Sequence, residues 1–260
     1  MIGRWKSAKT KVPRGAEGWR AYAIGDVHGR LDLLDGALQQ IAADHAERGG
    51  GRRGLLIFLG DLIDRGPNSV GVIERVRSGP LPGFRTVALA GNHEEVLLRL
   101  VDAQELGLLD QWLGFGGDAC LRSYGGDPDL LAAMPEEEAL RQLGAVIPAD
   151  HLAFLRDLGD TFSFGDYLFV HAGLRPGVPL SRQRQSDLRW IRRDFLDDPR
   201  DHGVMVVHGH TITEQIDEKP NRIGIDTGAY YFGVLTVVGV EDEHRWYLQQ
   251  SEVPASEAHG

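Results

Sequence analysis

GDLIDRG, at residues 60–66, directly follows the continuous apolar run 54–59 and sets two acids and an arginine between glycines. Two shorter blocks have the same design: GDVHG at residues 25–29 and GNHE at residues 91–94, each after its own apolar run. Such runs predict buried strands, and the glycines predict tight turns after them. Ligands of an open α/β sheet collect beyond the strand ends, so the three blocks predict one site at one sheet edge.

The segments around these blocks alternate between strand and helix patterns. Residues 20–24, 54–59 and 86–90 are predicted as strands, and residues 31–48 and 69–77 as the helices between them. This alternation implies right-handed crossovers and a largely parallel sheet in this half of the chain. The predicted fold class is therefore α/β.

The second half of the chain follows a different pattern. From about Glu94 to Leu158 the periodicity is mostly helical, with glycine-rich interruptions, and from Thr161 it becomes strand-like. The apolar segments on either side of Gly165-Asp166 predict a hairpin. Further strands are predicted at residues 204–207, 223–225, 234–240 and 246–249.

Length and charge limit the possible classes of protein. A chain of 260 residues, 42% hydrophobic and 25% charged, is long enough for one large domain. We predict this domain at residues 20–250, between a basic N-terminal tail at 1–19 and a flexible C-terminal tail at 251–260. The net charge of −10 argues against stable nucleic-acid binding, which needs a basic surface.

Targeting and redox features predict a cytoplasmic protein without a membrane anchor. No run approaches the roughly 18 to 20 apolar residues of a membrane span, and the basic N-terminus lacks the apolar stretch of a signal peptide. Cys120 is the single cysteine, which excludes an internal disulfide and fits a reducing compartment. We predict that it is a small buried hydrophobe.

Half of the ten histidines share one sequence context. Five directly follow apolar strands and have a glycine within two residues: His28, His93, His171, His208 and His210. A single histidine of this kind is more often a core or turn residue than a functional one. Five of them together indicate a metal or catalytic site.

The first two blocks supply candidate ligands for a pair of metals. Asp26 and His28 are two residues apart, so on an extended segment both point to one face and can bind one metal. Asp61 has two carboxylate oxygens and can bridge two cations about 3.5 to 4 Å apart, as in two-metal hydrolases.

A second metal would draw on ligands from three different strand ends. These candidates are Asn92, His171 and His210. A mixed oxygen and nitrogen donor set suits manganese, iron or zinc better than calcium or magnesium. The absence of ligand cysteines argues against a structural zinc site.

Three further residues have acid or phosphate-binding chemistry. His93 lies beside Asn92 and is the candidate general acid for the leaving group. Asp64 can accept a hydrogen bond from one imidazole nitrogen and favour the imidazolium. Arg65 offers a planar fork for two phosphate oxygens, although a turn salt bridge between Asp64 and Arg65 is an equal alternative.

The chain resembles the calcineurin-like metallophosphoesterases, and more narrowly the bacterial and phage branch of the phosphoprotein phosphatases. The resemblance runs from about Tyr22 to Val240 and rests on the ordered motifs GDVHGR, GDLIDRGP, GNHE, HAG, HGHT and DTGAYYFGVLT. It implies a single-domain, four-layer α-β-β-α sandwich with two divalent metals. Manganese is the first choice for these metals, with iron and zinc as alternatives.

The resemblance also implies a role for each matched residue. Metal one would be bound by Asp26, His28 and Asp61, and metal two by Asp61, Asn92, His171 and His210. His93 and Asp64 would form the acid pair, and Arg65 would bind phosphate. The family places a second phosphate-binding arginine two residues after a tryptophan, which gives Arg192, with Arg193 as its competitor and a solvated basic helix face as the alternative. His208 stays open as a supporting or structural residue.

The implied activity is that of a serine/threonine protein phosphatase. It would hydrolyse phosphoserine and phosphothreonine by direct attack of a water shared by the two metals, with His93 as the acid. Its partners would be phosphorylated proteins or peptides, with small phosphate esters and nucleotides as further substrates. The glycine-rich region 115–126 and the segment 182–193 are expected to form cleft walls, and Tyr230 and Tyr231 could do so too or belong to the core.

Two other functions compete with this one. A symmetrical dinucleoside polyphosphate hydrolase, acting on diadenosine tetraphosphate, resembles the first and third blocks. It typically has Ala-Arg-Gly where this chain has Asp64-Arg65-Gly66, and Asp where this chain has Glu94. A broad nucleotide phosphatase of the same fold belongs with this alternative. The remote alternative is a non-catalytic binding protein, although every matched ligand and His93 are present.

Overall fold

Two five-stranded sheets form the centre of the protein in the computed structural model, which describes residues 12–252. The strands are β1 (Trp19–Ile24), β2 (Arg53–Phe58), β3 (Phe84–Ala88), β4 (Thr161–Phe164), β5 (Tyr167–Val170), β6 (Met205–His208), β7 (Asp217–Glu218), β8 (Arg222–Gly224), β9 (Val234–Glu241) and β10 (His244–Ser251). The α-helices are α1 (Leu31–Arg48), α2 (Ser69–Arg77), α3 (Asn92–Val101), α4 (Leu109–Trp112), α5 (Asp118–Ser123), α6 (Pro128–Ala132), α7 (Glu136–Val146), α8 (Ala149–Arg156), α9 (Gln185–Trp190) and α10 (Arg193–Leu196).

The first sheet has the strand order β10-β9-β1-β2-β3. Strands β1, β2 and β3 are parallel neighbours joined by α1 and α2, as the sequence pattern predicts. Strand β9 pairs antiparallel with β1, and β10 pairs antiparallel with β9. The three parallel strands therefore end at the same edge, where the three glycine-flanked blocks follow them.

The second sheet has the order β4-β5-β6-β8-β7. The predicted hairpin is β4 and β5, and β5, β6 and β8 are parallel. Strand β7 contains only Asp217 and Glu218, so no apolar run announces it in the sequence. The parallel core of this sheet delivers His171 and His210 just beyond β5 and β6.

Alternating side chains pack the two sheets into four layers. On β1, Ala21 and Ala23 face the second sheet, and Tyr22 and Ile24 face the helices. This follows from the period of two in an extended strand. On the second sheet, Phe169 packs between the sheets, whereas Leu168 and Val170 pack against residues of α9 and α10. The α-β-β-α sandwich predicted from the family resemblance is confirmed.

Element boundaries differ most from the sequence prediction at β10, which covers His244–Ser251 instead of 246–249, and at β3. Strand β3 covers Phe84–Ala88 instead of 86–90, because beyond Ala88 the pairing continues only as an isolated bridge between Leu89 and Gly159. The predicted tails fall mainly on residues 1–11 and 253–260, which lie outside the described part, so the domain boundaries stay predictions. Within residues 12–252, no helix is long and apolar enough to cross a membrane.

Candidate active site

Seven of the ten predicted site residues line one cleft beyond the strand ends, and the other three, Asp26, Asp64 and His171, are buried next to them. Asp26 lies two residues after β1, Asp61 three after β2, and His171 directly after β5. The cleft has a volume of about 430 Å³. Its walls contain His28, Asp61, Arg65, Asn92, His93, Phe115, Trp190, Arg192, His210, Thr211, Ile212, Asp226 and Tyr230.

Two glycines allow carboxylates to pack directly against the backbone. A Cβ atom on Gly91 would overlap Oδ1 of Asp61, and one on Gly209 would overlap Oδ1 of Asp26. Any other residue would therefore displace a candidate ligand. This close approach is the physical reason for glycine in the GNHE and HGHT motifs.

The turns hold several site residues in the left-handed backbone region. Of the seven non-glycine residues with positive φ in the range 12–252, five are predicted site residues: His28, Asp61, Asp64, Arg65 and His210. This conformation costs about 1 to 3 kcal/mol per residue. The cost concentrates where side chains must turn sharply off a strand end into the cleft.

Asp61 lies at the centre of the cluster of donor atoms. Its Oδ2 is 3.6 Å from Nε2 of His28 and 3.4 Å from Nε2 of His171. Two groups of possible metal donors share it: one with His28 and His93, the other with His171 and His210. A carboxylate common to both groups is the geometry expected for a bridging ligand.

The candidate histidine ligands are oriented by backbone carbonyls. Nδ1 of His28 lies 2.8 Å from the carbonyl oxygen of Ile63, and Nδ1 of His171 lies 2.9 Å from that of Leu59. When each Nδ1–H donates to its carbonyl, each Nε2 is left with its lone pair towards Asp61. The rings are thus fixed in the tautomer that a metal requires.

Burial keeps two of the imidazoles neutral. It lowers the pKa of His28 to about 3 and that of His210 to about 2. For His171, burial also disfavours the charged form, but the carboxylate of Asp61 outweighs it and raises the pKa. A cation beside Asp61 would take the place of that proton.

Three observations show that the donor set fits a metal pair. Oδ1 of Asp26 and Nε2 of His210 are buried and have no hydrogen-bond partner among the described residues. Oδ1 of Asn92 lies 3.0 Å from Nε2 of His171, so two acceptors face each other when His171 donates through Nδ1. Carboxylate, amide and imidazole donors together suit divalent manganese, iron or zinc.

Asp26 is placed differently from the other candidate ligands. It lies outside both donor groups of three, and its Oδ2 accepts a hydrogen bond from the backbone N–H of His210 at 3.0 Å. Burial and the nearby Asp226 raise the pKa of its carboxyl. Burial also raises the pKa of Asp226 to about 6. A cation bound beside Asp26 and Asp226 would relieve the repulsion between their carboxylates.

His93 and Asp64 form a buried pair. Nδ1–H of His93 donates to Oδ2 of Asp64 at 2.6 Å, and the indole N–H of Trp112 donates to the same oxygen at 3.1 Å. Burial opposes the charged imidazole, but Asp61 and Asp64 outweigh it and raise the pKa of His93 to about 9. The ring is therefore held as a proton donor whose Nε2 faces the cleft. Asp64 pairs with His93 and makes no turn salt bridge with Arg65.

Glu94 joins two of the sequence blocks, and the sequence analysis did not identify this role. Its buried carboxylate accepts backbone N–H groups from Gly91, Asp61 and Leu62 at 2.8, 2.9 and 2.7 Å. Charge-assisted bonds of this kind hold the GDLIDRG and GNHE turns in one position. No local signal marks the link between the blocks, because Asp61 and Leu62 lie more than thirty residues from Glu94 in sequence.

Arg65 is held from two sides. Its backbone N–H donates to the carbonyl of Gly116 at 2.9 Å, and its guanidinium lies 4.8 Å from the ring centre of Tyr230. Gly116 has φ +115°, and a Cβ there would lie 2.6 Å from the Arg65 nitrogen. Tyr230 and Phe115 thus wall the cleft, whereas Tyr231 is 69% exposed at its rim.

Arg192, and not Arg193, lines the cleft. Arg192 lies between α9 and α10, and its Nη1 donates to Oγ1 of Thr211 at 3.3 Å. Trp190 stands on the same wall, 6.5 Å from the ring of His210. His208 is buried away from the cleft against Phe195 and near Arg222, a structural environment.

Sequence reasoning also missed Asp226 and Trp112. Asp226 follows β8 just as Asp26 follows β1, so the strand-end rule could have identified it. Trp112 comes from the helical middle region, and nothing in its local sequence indicates a contact with Asp64. Cys120 is fully buried beneath the site, as predicted.

Comparison with known proteins identifies the family. A family model described as calcineurin-like phosphoesterase matches residues 20–239, most of the chain. Members of this family are metal-dependent hydrolases, and the donor residues of a dinuclear site are present. The chain therefore belongs to the calcineurin-like phosphoesterase family and is a hydrolase.

Individual relatives carry two kinds of name. A serine/threonine-protein phosphatase 2 of Escherichia coli is 37% identical and covers 83% of this chain and 90% of its own length. A symmetrical bis(5'-nucleosyl)-tetraphosphatase of Dechloromonas aromatica is 30% identical and covers 90% of this chain and 97% of its own length. A solved structure of a candidate diadenosine tetraphosphatase has a TM-score of 0.62 at 21% identity, covering 93% of this chain and all of its own.

Proposed function

We propose that this calcineurin-like phosphoesterase is a two-metal phosphomonoesterase acting on phosphoserine and phosphothreonine in proteins. The observation that carries the proposal is the buried pair of His93 and Asp64, joined at 2.6 Å. An alkoxide is a poor leaving group and needs a proton as the P–O bond breaks. A preoriented imidazolium at the cleft meets that need.

The proposed metal ligands are the residues around Asp61. Asp26 and His28 would hold one metal with Asp61, and the second would be held by Asp61 together with Asn92, His171 and His210. When bound, such a metal pair lowers the pKa of a water and stabilises charge on phosphoryl oxygens. We favour manganese because the donor set mixes oxygen and nitrogen.

The remaining proposed steps belong to the chain's own residues. Arg65 and Arg192 line the same cleft and would bind and orient the phosphoryl oxygens through their planar guanidinium groups. His93, with Nδ1 bound to Asp64, would donate its Nε2 proton to the leaving oxygen. Asp64 would hold the ring and its charge in place, and Trp112 would hold Asp64.

The second candidate function is the hydrolysis of dinucleoside polyphosphates. A relative of that name at 30% identity over 90% of the chain favours it. A phosphate leaving group is a weaker base than an alkoxide, so it depends less on a general acid. The presence of Asp64 beside His93 is the reason we rank this function second.

A leaving-group experiment discriminates the two functions. We expect manganese-loaded protein to hydrolyse phosphoserine peptides faster than diadenosine tetraphosphate at equal concentration. The variant Asp64→Ala should lose about tenfold or more on the peptides and less on the dinucleotide. A wild-type preference for the dinucleotide, with equal effects of Asp64→Ala on both substrates, would refute the phosphomonoesterase assignment.

A further inference from the structure

The segment 174–193 is a basic region in an acidic protein. It contains six arginines and one aspartate, hence a formal charge of +5, whereas the whole chain has a net charge of −10. This segment ends in the cleft, where Trp190 and Arg192 form one wall. A local charge of opposite sign to the whole protein indicates an anionic partner.

Three of the six arginines form salt bridges or line the cleft. Arg175 pairs with Asp187 and Asp194, Arg189 pairs with Glu95 and Asp160, and Arg192 lines the cleft. Arg182, Arg184 and Arg193 make no salt bridge with any of the residues 12–252. Arg182 and Arg184 are exposed and line a second, open basin of about 730 Å³.

The loop that carries Arg182 and Arg184 is ordered by its own hydrogen bonds. Gln183, between them, accepts from the backbone N–H of Arg175 at 2.8 Å and donates to the carbonyl of Val178 at 2.8 Å. The following helix α9 is anchored by buried Leu188, whose carbonyl accepts from Ala172 at 2.8 Å. The two guanidinium groups are therefore presented from a fixed loop, which lowers the entropic cost of binding.

One short helix connects this basin to the phosphate cleft. Arg184 precedes α9 and lines the basin, and Trp190 ends α9 and lines the cleft. Six helical residues span about 9 Å, roughly the length of three residues of extended chain. An extended peptide with its phosphoserine in the cleft can thus place a residue about three to five positions away at the basin.

We propose that Arg182 and Arg184 form a docking site for acidic or phosphorylated side chains that flank the hydrolysed residue of a phosphoprotein. This rests on the proposed function and names the sequence class of its substrates. Guanidinium groups pair with carboxylates and phosphates through two parallel hydrogen bonds. None of the residues within 12–252 that line the basin is aromatic, so they offer a nucleobase no ring for stacking, which favours a peptide over a nucleotide.

The test compares two phosphoserine peptides that differ only in glutamate against glutamine at positions three to five residues from the phosphoserine, on both sides. We expect wild-type kcat/KM to favour the acidic peptide about three- to tenfold at low salt. In Arg182→Glu/Arg184→Glu this ratio should fall to one or below. The control Arg141→Glu/Arg156→Glu makes the same charge change at exposed sites outside the cleft walls and should keep the wild-type ratio.

Two results would overturn the docking site: no preference in the wild type, or an equal loss of preference in the control. Binding of fluorescent, unphosphorylated forms of both peptides, measured by anisotropy, judges the docking site independently of hydrolysis. If the protein hydrolyses only diadenosine tetraphosphate, the proposed function fails. Selective binding of the acidic peptide, abolished in Arg182→Glu/Arg184→Glu, would then still support the docking site, and its absence would reject it.

Discussion

The strand-end turns and the rim of the cleft are built in opposite ways. The turns bury Asp61, Asp64 and Glu94 and fix them with several hydrogen bonds each. The rim exposes Tyr231 by 69% and Trp190 by 39%, and part of it is the irregular stretch Leu113–Gly117. We infer from this difference that the turns support the reaction and the rim supports the choice of substrate. We therefore expect changes in the turns to lower kcat, to an extent that depends on the leaving group, and changes in the rim to alter KM for particular substrates.

The largest effect is expected from Asp61→Asn, at the centre of the turns. The amide keeps the shape but loses the charge that both donor groups share. Activity on aryl phosphates should fall by about 10³-fold or more, and metal content measured by elemental analysis should drop below two per chain. Asp129→Asn, on an exposed surface, is the control. Full metal content in Asp61→Asn would argue against a bridging role.

His93→Asn should have a smaller effect of another kind. Loss of the proton donor should lower kcat about 10²-fold while metal content stays near two per chain. The loss should be greater for phosphoserine than for nitrophenyl phosphate, because nitrophenolate leaves without a proton. Equal losses on both substrates would contradict the role of general acid.

The pH profile of Asp64→Asn tests the same pair. Activity needs protonated His93, so it is retained at low pH and lost as pH rises through the pKa of His93. Burial opposes the charged imidazole, but the carboxylates of Asp61 and Asp64 outweigh it and raise this pKa to about 9. Bound metals would neutralise the charge of Asp61 and so lower the pKa of His93 again. We expect wild-type kcat to fall with rising pH somewhere between pH 6.5 and 9. In Asp64→Asn this fall should occur at lower pH, and kcat itself should be about 10- to 100-fold lower. A fall in kcat at the same pH in Asp64→Asn and in the wild type would refute the proposed pairing of Asp64 with a catalytic His93.

The smallest effect is expected at the cleft wall next to the rim, from Tyr230→Ala. The variant removes the ring that lies 4.8 Å from the guanidinium of Arg65. We expect KM for a phosphopeptide to rise about two- to fivefold with little change in kcat, and Tyr230→Phe to restore it. A large loss of kcat would show that Tyr230 belongs to the reacting centre, which would break the division between turns and rim.

Much of the site was predictable because its residues carry local signals. Asp26, Asp61 and Asn92 each follow an apolar run and sit beside glycine, so strand and turn chemistry located them together. Predicting the four layers required the family resemblance, since the alternation of Ala21 and Tyr22 does not reveal whether a helix or a second sheet covers each face of β1. The roles of the individual ligands and the cytoplasmic location stay predictions.

What sequence could not supply were contacts between distant segments. Glu94 reads as an ordinary helix-start acid, yet it joins turns thirty residues apart. Trp112 reads as a core aromatic of the helical region, yet its indole binds Asp64. Arg192 and Arg193 are neighbours with the same chemistry, and only the backbone turn between α9 and α10 decides which one enters the cleft.

The left-handed backbone at His28, Asp61 and His210 lowers the stability of the fold at positions that we propose for activity. Glycine would adopt the same φ without steric penalty, which would lower the strain of the folded state by about 1 kcal/mol or more per position. The greater conformational freedom of glycine in the unfolded chain would offset part of this gain in stability. Selection for thermal resistance alone would therefore tend to replace residues that we propose as metal ligands. Stabilising mutations found by heat screening should be checked at these positions first, because a more heat-resistant variant there is expected to be an inactive one.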